Sequence, residues 1–93
     1  MKYELDSEIL QKAIDTWGVD SQVNMVIEEC AELINAIVKF RRGRNEIKDV
    51  VTEIADVQIM CAQLELIVGG NTKIVEMERM RKMDRLRGRL NEK

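Results

Sequence analysis

The chain has 93 residues, of which 34% are charged and 45% hydrophobic, and it contains no proline, no histidine and one residue each of Trp, Tyr and Phe. The absence of histidine excludes Ser-His-Asp and Cys-His catalysis, histidine-ligated zinc and an imidazole general base. Any catalysis must therefore use carboxylates, amines, hydroxyls or a metal ion. The two cysteines are too few for a disulfide framework or a closed structural zinc site, which favours a reducing compartment.

Composition and length predict a single all-α domain over residues 1–93. Most residues are strong helix formers, whereas a β-sandwich or barrel would need more β-branched and aromatic residues and more turns. Glycines and capping residues predict four helices with short loops, so neighbouring helices should be antiparallel in a four-helix, bundle-like fold. The predicted helices run from Ser7 to Thr16, from Asp20 or Ser21 to about Phe40, from Asn45 to Gly69-Gly70, and from a cap at Asn71 or Thr72 to about Leu90.

Length and hydropathy also bear on location and assembly. No stretch approaches the ~20 apolar residues that a membrane span needs, and Met1 leads directly into charged sequence, so we expect a cytoplasmic protein that does not enter a membrane. A domain near this size buries only about two thirds of the surface of its unfolded chain. We therefore expect further burial in a homo-oligomer, either a homodimer or a homotetramer.

Both central helices are apolar around most of their circumference, which predicts that both are buried. At 100° per residue, each helix has one broad apolar face that is expected to form the core. The predicted core residues are Val23, Val26, Ile27, Cys30, Leu33, Ile34, Ile37 and Val38 on the second helix and Val50, Ile54, Val57, Cys61, Leu64 and Val68 on the third.

Charged residues are unevenly distributed along the chain. No basic residue lies between Lys12 and Lys39 or between Lys48 and Lys73. Within these stretches each central helix carries two acidic residues three positions apart, namely Glu29 and Glu32, and Glu53 and Asp56. If the helices are antiparallel, the four carboxylates can face one another, and their repulsion must be relieved by raised pKa values or by bound cations. Oxygen ligands without nitrogen or sulfur select a hard ion, Mg²⁺ or Mn²⁺.

The acidic pairs also have a simpler interpretation, because most charged residues on helices are solvated surface. Three features favour a metal site: the apolar residues that flank Glu29 and Glu53, the absence of basic partners, and the repeat of the same spacing on adjacent helices. The spacing alone leaves both interpretations open.

Two acidic motifs resemble the E-E-x-x-E … E-x-x-D signature of the all-α nucleoside triphosphate pyrophosphohydrolases, and most of all their short MazG-like members. The motifs are Glu28-Glu29-Cys30-Ala31-Glu32 and, after twenty residues, Glu53-Ile54-Ala55-Asp56. The resemblance covers about residues 12–86. It implies Mg²⁺-dependent hydrolysis of an NTP or dNTP to the monophosphate and pyrophosphate, with Glu29, Glu32, Glu53 and Asp56 as metal ligands. Glu28 points about 100° away from Glu29, and its role is open.

The same resemblance suggests phosphate contacts. The family often carries a K-F-x-R-R string downstream of its second motif, and the segment from Lys82 to Leu86 keeps only Lys82 and Arg85 of that string. These two residues are candidates for substrate binding, and Lys39 is a further candidate at the end of the second helix. The alternative for any such basic residue is a solvated helix face.

Three residues near the start of the second helix are candidates for recognition of the nucleobase. The side-chain amides of Gln22 and Asn24 could read the edge of a base, and Trp17 is the one indole nearby. The alternative for Trp17 is a core anchor, which is the commoner role of a lone Trp in a small domain. Cys30 and Cys61 are expected to be inert core residues.

Other functions stay open. A phosphoribosyl-ATP pyrophosphatase-like enzyme is the alternative within the family, although that branch commonly carries a histidine after its second motif and this chain has none. A non-catalytic helical interaction module with a vestigial metal site is the alternative outside enzymes. Nucleic-acid binding would rest on the basic run from Lys39 to Lys48 and on the basic fourth helix, and the excess of 17 acidic over 15 basic residues disfavours it.

Overall fold

The computed structural model describes residues 5–92, which form four α-helices and no strand. The helices are α1 (Ser7–Trp17), α2 (Val19–Arg41), α3 (Ile47–Gly69) and α4 (Lys73–Asn91). The predicted all-α class is confirmed for this range, and each helix begins and ends within two residues of its predicted position. The other residues of the predicted domain, 1–4 and 93, lie outside the described range.

Local side-chain chemistry explains the first two helix boundaries. Asp6 is the N-cap of α1, where the sequence favours Ser7, because the Asp6 carboxylate accepts hydrogen bonds from the backbone N–H of Glu8 at 3.0 Å and of Ile9 at 3.4 Å. Gly18 alone separates α1 from α2. Its φ of +90° is a conformation that side-chain-bearing residues rarely adopt, so glycine allows the chain to change direction within one residue.

The connection between α2 and α3 is short and is held by side-chain hydrogen bonds. Gly43, with φ of +68°, turns the chain after α2. The prediction that the third helix begins at Asn45 is wrong by two residues. Asn45 lies in the loop, where its side-chain Nδ2 donates to the carbonyl of Ala36 at 3.1 Å and ties the loop to α2. Helix α3 begins after Glu46, whose backbone N–H donates to Asp49 Oδ2 at 2.9 Å.

Helices α2 and α3 form the centre of the fold. Each has 23 residues, the connection spans residues 42–46, and the two helices pack along each other, so they are antiparallel. Helix α1 packs against both, whereas α4 contacts only α3 among the described helices. None of the helices within residues 5–92 has the length and hydropathy that a membrane crossing requires.

The core of the single chain is small. No side chain within residues 5–92 is less than 2% exposed, and α4 has no buried residue. The buried hydrophobic residues are Leu10, Ile14, Val26, Ala36, Met60 and Ala62. The fold therefore leaves much apolar surface exposed on one chain.

The prediction that the broad apolar face of α2 forms the core is wrong for half of that face. Ile27 is 62% exposed and Ile34 is 63% exposed, and the exposed residues also include Ile37, Val38 and, on α3, Ile54 and Val68. The buried residues of α2 are Gln22, Val26 and Ala36. Because α2 is apolar nearly all round, it can pack onto α3 through the side that carries Val26 and Glu29 and leave the other half of the predicted face outward.

Candidate functional site

Three of the four predicted metal ligands converge within the α2–α3 pair. Glu29, Glu53 and Asp56 each offer one carboxylate oxygen, and these oxygens all lie within 4.8 Å of one another. Glu53 and Asp56 share a helix face because they are three residues apart, and antiparallel packing brings that face to Glu29. All three residues are partly buried. We call these three residues the carboxylate cluster.

Two oxygens of the carboxylate cluster have no hydrogen-bond partner. Glu29 Oε2 and Glu53 Oε2 are buried and accept no hydrogen bond within the described residues. Burial raises the pKa of both carboxyl groups, and repulsion from the neighbouring carboxylates of Glu32 and Asp56 raises it further. A buried acceptor without a donor costs free energy, so a positively charged partner would stabilise the cluster.

No basic side chain of the chain supplies that partner within residues 5–92. The ion pairs there join Glu46 to Lys48 at 3.7 Å, Asp84 to Arg87 at 2.7 Å, and Glu78 to Arg81. All of them are exposed, and none includes a member of the carboxylate cluster. The negative charge of the cluster is therefore not balanced by a salt bridge in the described structure.

Glu32, the fourth predicted ligand, lies at the edge of the cluster. Its side chain is exposed, and its oxygens are not among those that converge within 4.8 Å. It is still close enough for its charge to raise the pKa of Glu29 and Glu53. Its carboxyl group therefore lies near those of both residues without belonging to the three-way convergence. Glu28 is exposed and lies outside it.

A cavity of about 410 Å³ adjoins the carboxylate cluster, between the end of α2 and the start of α3. Glu32 and Glu53 belong to its lining, and so do Lys39 and Arg44. Its other polar lining residues are Asn35, Asn45, Asp49 and Thr52. Its volume lies within the range of small-molecule sites. We call this space the loop-side cavity.

Two predicted phosphate contacts lie elsewhere in the single chain. Lys82 and Arg85 line a separate depression of about 210 Å³ on α4, together with Leu86 and Arg89. Neither residue lines the loop-side cavity. One chain therefore does not bring these two cations and the cavity into one site, and their role in phosphate binding stays a prediction.

The three residues considered for base recognition are spread over the surface and the helix interface. Trp17 is 64% exposed at the end of α1, Asn24 is exposed, and Gln22 is buried. None of them lines the loop-side cavity. The exposed indole excludes a core-anchor role for Trp17 within one chain, and the assignment of these residues to a base stays a prediction.

Arg44 and Asn35 line the cavity although the motifs did not indicate them. Asn35 follows Glu32 by three residues, so helical spacing from the acidic motif could have identified it. Arg44 lies in the α2–α3 loop, where neither helical nor strand periodicity applies. Its position depends on the path of the loop, which follows from Gly43 and from the Asn45 hydrogen bond to Ala36.

No protein-family model, curated protein or solved structure matches this chain. The resemblance to the all-α pyrophosphohydrolases therefore rests on the two acidic motifs and on the partial match at Lys82 and Arg85.

Proposed function

We propose that this chain is a divalent-metal-dependent nucleoside triphosphate pyrophosphohydrolase, which cleaves an NTP or dNTP to the monophosphate and pyrophosphate. The observation that carries the proposal is the convergence of three carboxylate oxygens within 4.8 Å, two of these carboxylates having a buried, unpartnered oxygen. The two acidic motifs, which supply all three carboxylates, support the same proposal.

The donor set fits Mg²⁺ or Mn²⁺. All the convergent donors are carboxylate oxygens, which hard divalent cations prefer. The buried oxygens of Glu29 and Glu53 lack a donor, so a cation would satisfy them. In this proposal Glu29, Glu53 and Asp56 hold the metal, and Glu32 supplies the fourth ligand from the edge of the cluster.

The chemistry divides between the ion and the chain. A divalent ion held by Glu29, Glu53 and Asp56 would withdraw charge from the reacting phosphorus and would lower the pKa of an attacking water. The carboxylate cluster fixes the place where the α-phosphate is attacked, because its residues lie on two packed helices. A carboxylate oxygen that is not engaged by the ion accepts the proton of the water.

The proposal is tested by incubating the pure protein with a panel of NTPs and dNTPs and Mg²⁺ and identifying the products. We expect pyrophosphate and a nucleoside monophosphate, and we expect Glu53→Gln to lower kcat/KM by about 100-fold or more, since loss of even an outer-shell partner costs 10–100-fold. Glu65→Gln is the matched control, because Glu65 is a partly buried glutamate on the same helix and lies outside the cluster.

Two results would contradict the proposed activity. One is release of orthophosphate in place of pyrophosphate, and the other is undiminished hydrolysis by Glu53→Gln. If no nucleotide is cleaved while Mg²⁺ still raises the melting temperature, the alternative of a non-catalytic helical module is supported. The large exposed apolar surface of the chain favours that alternative over other non-enzymatic functions. Cleavage of phosphoribosyl-ATP alone would select that branch of the family.

We also propose that the chain works as a homo-oligomer. The outward face of α2 carries Ile27, Ile34, Ile37 and Val38 at helical spacing, all of them exposed. No side chain within residues 5–92 is completely buried, so one chain does not complete its own core. A second copy presents the same face and can cover it in a symmetric interface.

A further inference from the structure

The loop-side cavity has a charge pattern that the metal site does not explain. Lys39 and Arg44 line it, and neither forms an ion pair within the described residues. We propose that this cavity binds a diphosphate group, the β- and γ-phosphates of the substrate and then the released pyrophosphate, with Lys39 and Arg44 as its cationic contacts. The inference rests on the proposed pyrophosphohydrolase function and names the part of the substrate that the cavity holds.

The backbone fixes the two cationic residues next to each other. The backbone N–H of Arg44 donates to the carbonyl of Lys39 at 2.9 Å, so both side chains arise from one turn at the end of α2. The same turn is tied to α2 by the Asn45 hydrogen bond to Ala36 at 3.1 Å. Arg and Lys at fixed positions bind phosphate oxygens by charge-assisted hydrogen bonds, and the guanidinium can contact two oxygens at once.

The acidic residues of the lining do not prevent this assignment. Asp49 caps the start of α3, because its Oδ2 accepts a hydrogen bond from the Glu46 backbone N–H at 2.9 Å. Glu32 and Glu53 lie where the cavity adjoins the carboxylate cluster, so a divalent ion held by the cluster would offset their negative charge. Apart from Asp49, the lining therefore has its carboxylates, Glu32 and Glu53, on the side of the cluster and its cations, Lys39 and Arg44, on the side of the loop. This arrangement matches a polyphosphate chain that is cleaved at the cluster.

A diphosphate bound in the loop-side cavity fixes the orientation of the substrate. The cavity lies on the side of the cluster nearer the α2–α3 loop, since its lining follows Glu29 on α2 and precedes Asp56 on α3. With the diphosphate on this side and the α-phosphate at the carboxylate cluster, the nucleoside lies outside the loop-side cavity. Substitutions of Lys39 or Arg44 should therefore weaken binding of pyrophosphate and leave binding of a nucleoside monophosphate unchanged.

The test is isothermal titration of inorganic pyrophosphate, and separately of a nucleoside monophosphate, into the protein with Mg²⁺. We expect Lys39→Gln and Arg44→Gln each to weaken pyrophosphate binding about tenfold, the usual scale for a lost charged hydrogen bond, with monophosphate affinity unchanged. Arg41→Gln is the matched control, because Arg41 lies in the same basic segment but does not line the cavity. Both site residues are exposed, so the variants should fold, and circular-dichroism melting verifies this.

The outcomes separate this inference from the proposed function. Unchanged pyrophosphate affinity in both variants, with wild-type protein that cleaves NTPs, would overturn the assignment of the cavity and leave the activity standing. Equal loss of affinity in Arg41→Gln would also overturn it, because binding would then follow overall charge. Pyrophosphate binding that depends on Lys39 and Arg44, in protein that cleaves no nucleotide, would support a diphosphate site and refute the hydrolase.

Discussion

The carboxyl groups of Glu29 and Glu53 are held where the fold favours their protonated form. Burial is the main cause, and repulsion from Glu32 and Asp56 adds to it, so the pKa of each is raised above its ordinary value of 4.5. The folded chain then binds more protons than the unfolded chain between the ordinary and the raised pKa. The stability that these groups contribute is present below the ordinary pKa and is lost as the pH rises through the raised one.

The titration of Glu29 and Glu53 should therefore make metal-free protein less stable as the pH rises from 4.5 through their raised pKa values. Mg²⁺ should reverse the loss at neutral pH, because a cation then takes the place of the protons. At about 100 times its Kd, Mg²⁺ would stabilise the fold by about 2.7 kcal/mol, or roughly 10–20 °C for a domain of this size. Melting curves in EDTA and in Mg²⁺ across this pH range measure both effects.

Glu53→Gln isolates the contribution of the cluster. The uncharged amide should raise the melting temperature in EDTA at neutral pH and remove most of the response to Mg²⁺. Glu65→Gln, on the same helix, should behave as wild type in both respects. A wild-type protein with no response to millimolar Mg²⁺ would count against the metal site.

At the residue scale, spacing indicated that the acidic side chains lie near one another, and three of the four converge, whereas periodicity did not indicate which apolar residues are buried. Two acidic residues three apart on a helix must share a face, so the approach of Glu53 and Asp56 to Glu29 followed once the helices were antiparallel. Cys30 and Cys61, which were expected to be core residues, are an example of the poorly predicted burial. Cys30 and Cys61 are half-buried, and burial together with the neighbouring Cys30 raises the pKa of the Cys61 thiol, which disfavours the reactive thiolate.

The α2–α3 connection depends on one side chain. Asn45 donates from Nδ2 to the carbonyl of Ala36 at 3.1 Å, in a partly buried position. Asn45→Ala removes this hydrogen bond, so we expect the free energy of unfolding to fall by about 1 kcal/mol. Urea unfolding followed by circular dichroism measures the change, and the dependence on urea concentration should stay the same.

Asn24→Ala is the comparison for Asn45→Ala. Asn24 is exposed on α2, and alanine favours a helix over asparagine by up to about 0.7 kcal/mol, so this variant should be as stable as wild type or slightly more stable. Equal stability of the two variants would show that the Asn45 hydrogen bond does not hold the loop.

At the scale of elements, the sequence predicted where helices lie better than which faces pack. Glycines, caps and a prolineless composition placed every helix end within two residues. The choice of packing face on α2 could not be read from periodicity, because apolar residues surround almost the whole helix. The packing of α2 against α3 and α1 decides it, and Gln22 and Ala36 are buried while Ile27 and Ile34 stay exposed.

On the scale of the whole molecule, exposed apolar residues are the basis of the proposed assembly. Ile34 lies on the outward face of α2 and is exposed in a single chain. If a second copy covers this face, Ile34→Lys places a charge in the interface and should convert the oligomer to a monomer with a lower melting temperature. Sedimentation equilibrium gives the mass of each species.

Gln58→Lys adds the same charge at an exposed polar position of α3 and should leave the oligomer intact. A wild-type protein that sediments as a monomer would refute the assembly. An unchanged oligomer in Ile34→Lys would place the interface on another face, for which the exposed methionines of α4 are the next candidates.

The antiparallel pair that builds the carboxylate cluster also determines which sequence changes the site can tolerate during evolution. Within each motif, an insertion between Glu29 and Glu32, or between Glu53 and Asp56, rotates one carboxylate by about 100° and removes it from the shared face. The connection over residues 42–46 is different, because added loop residues leave both helix faces where they are. Diverged homologues should therefore conserve the two short spacings and vary the number of residues between the motifs.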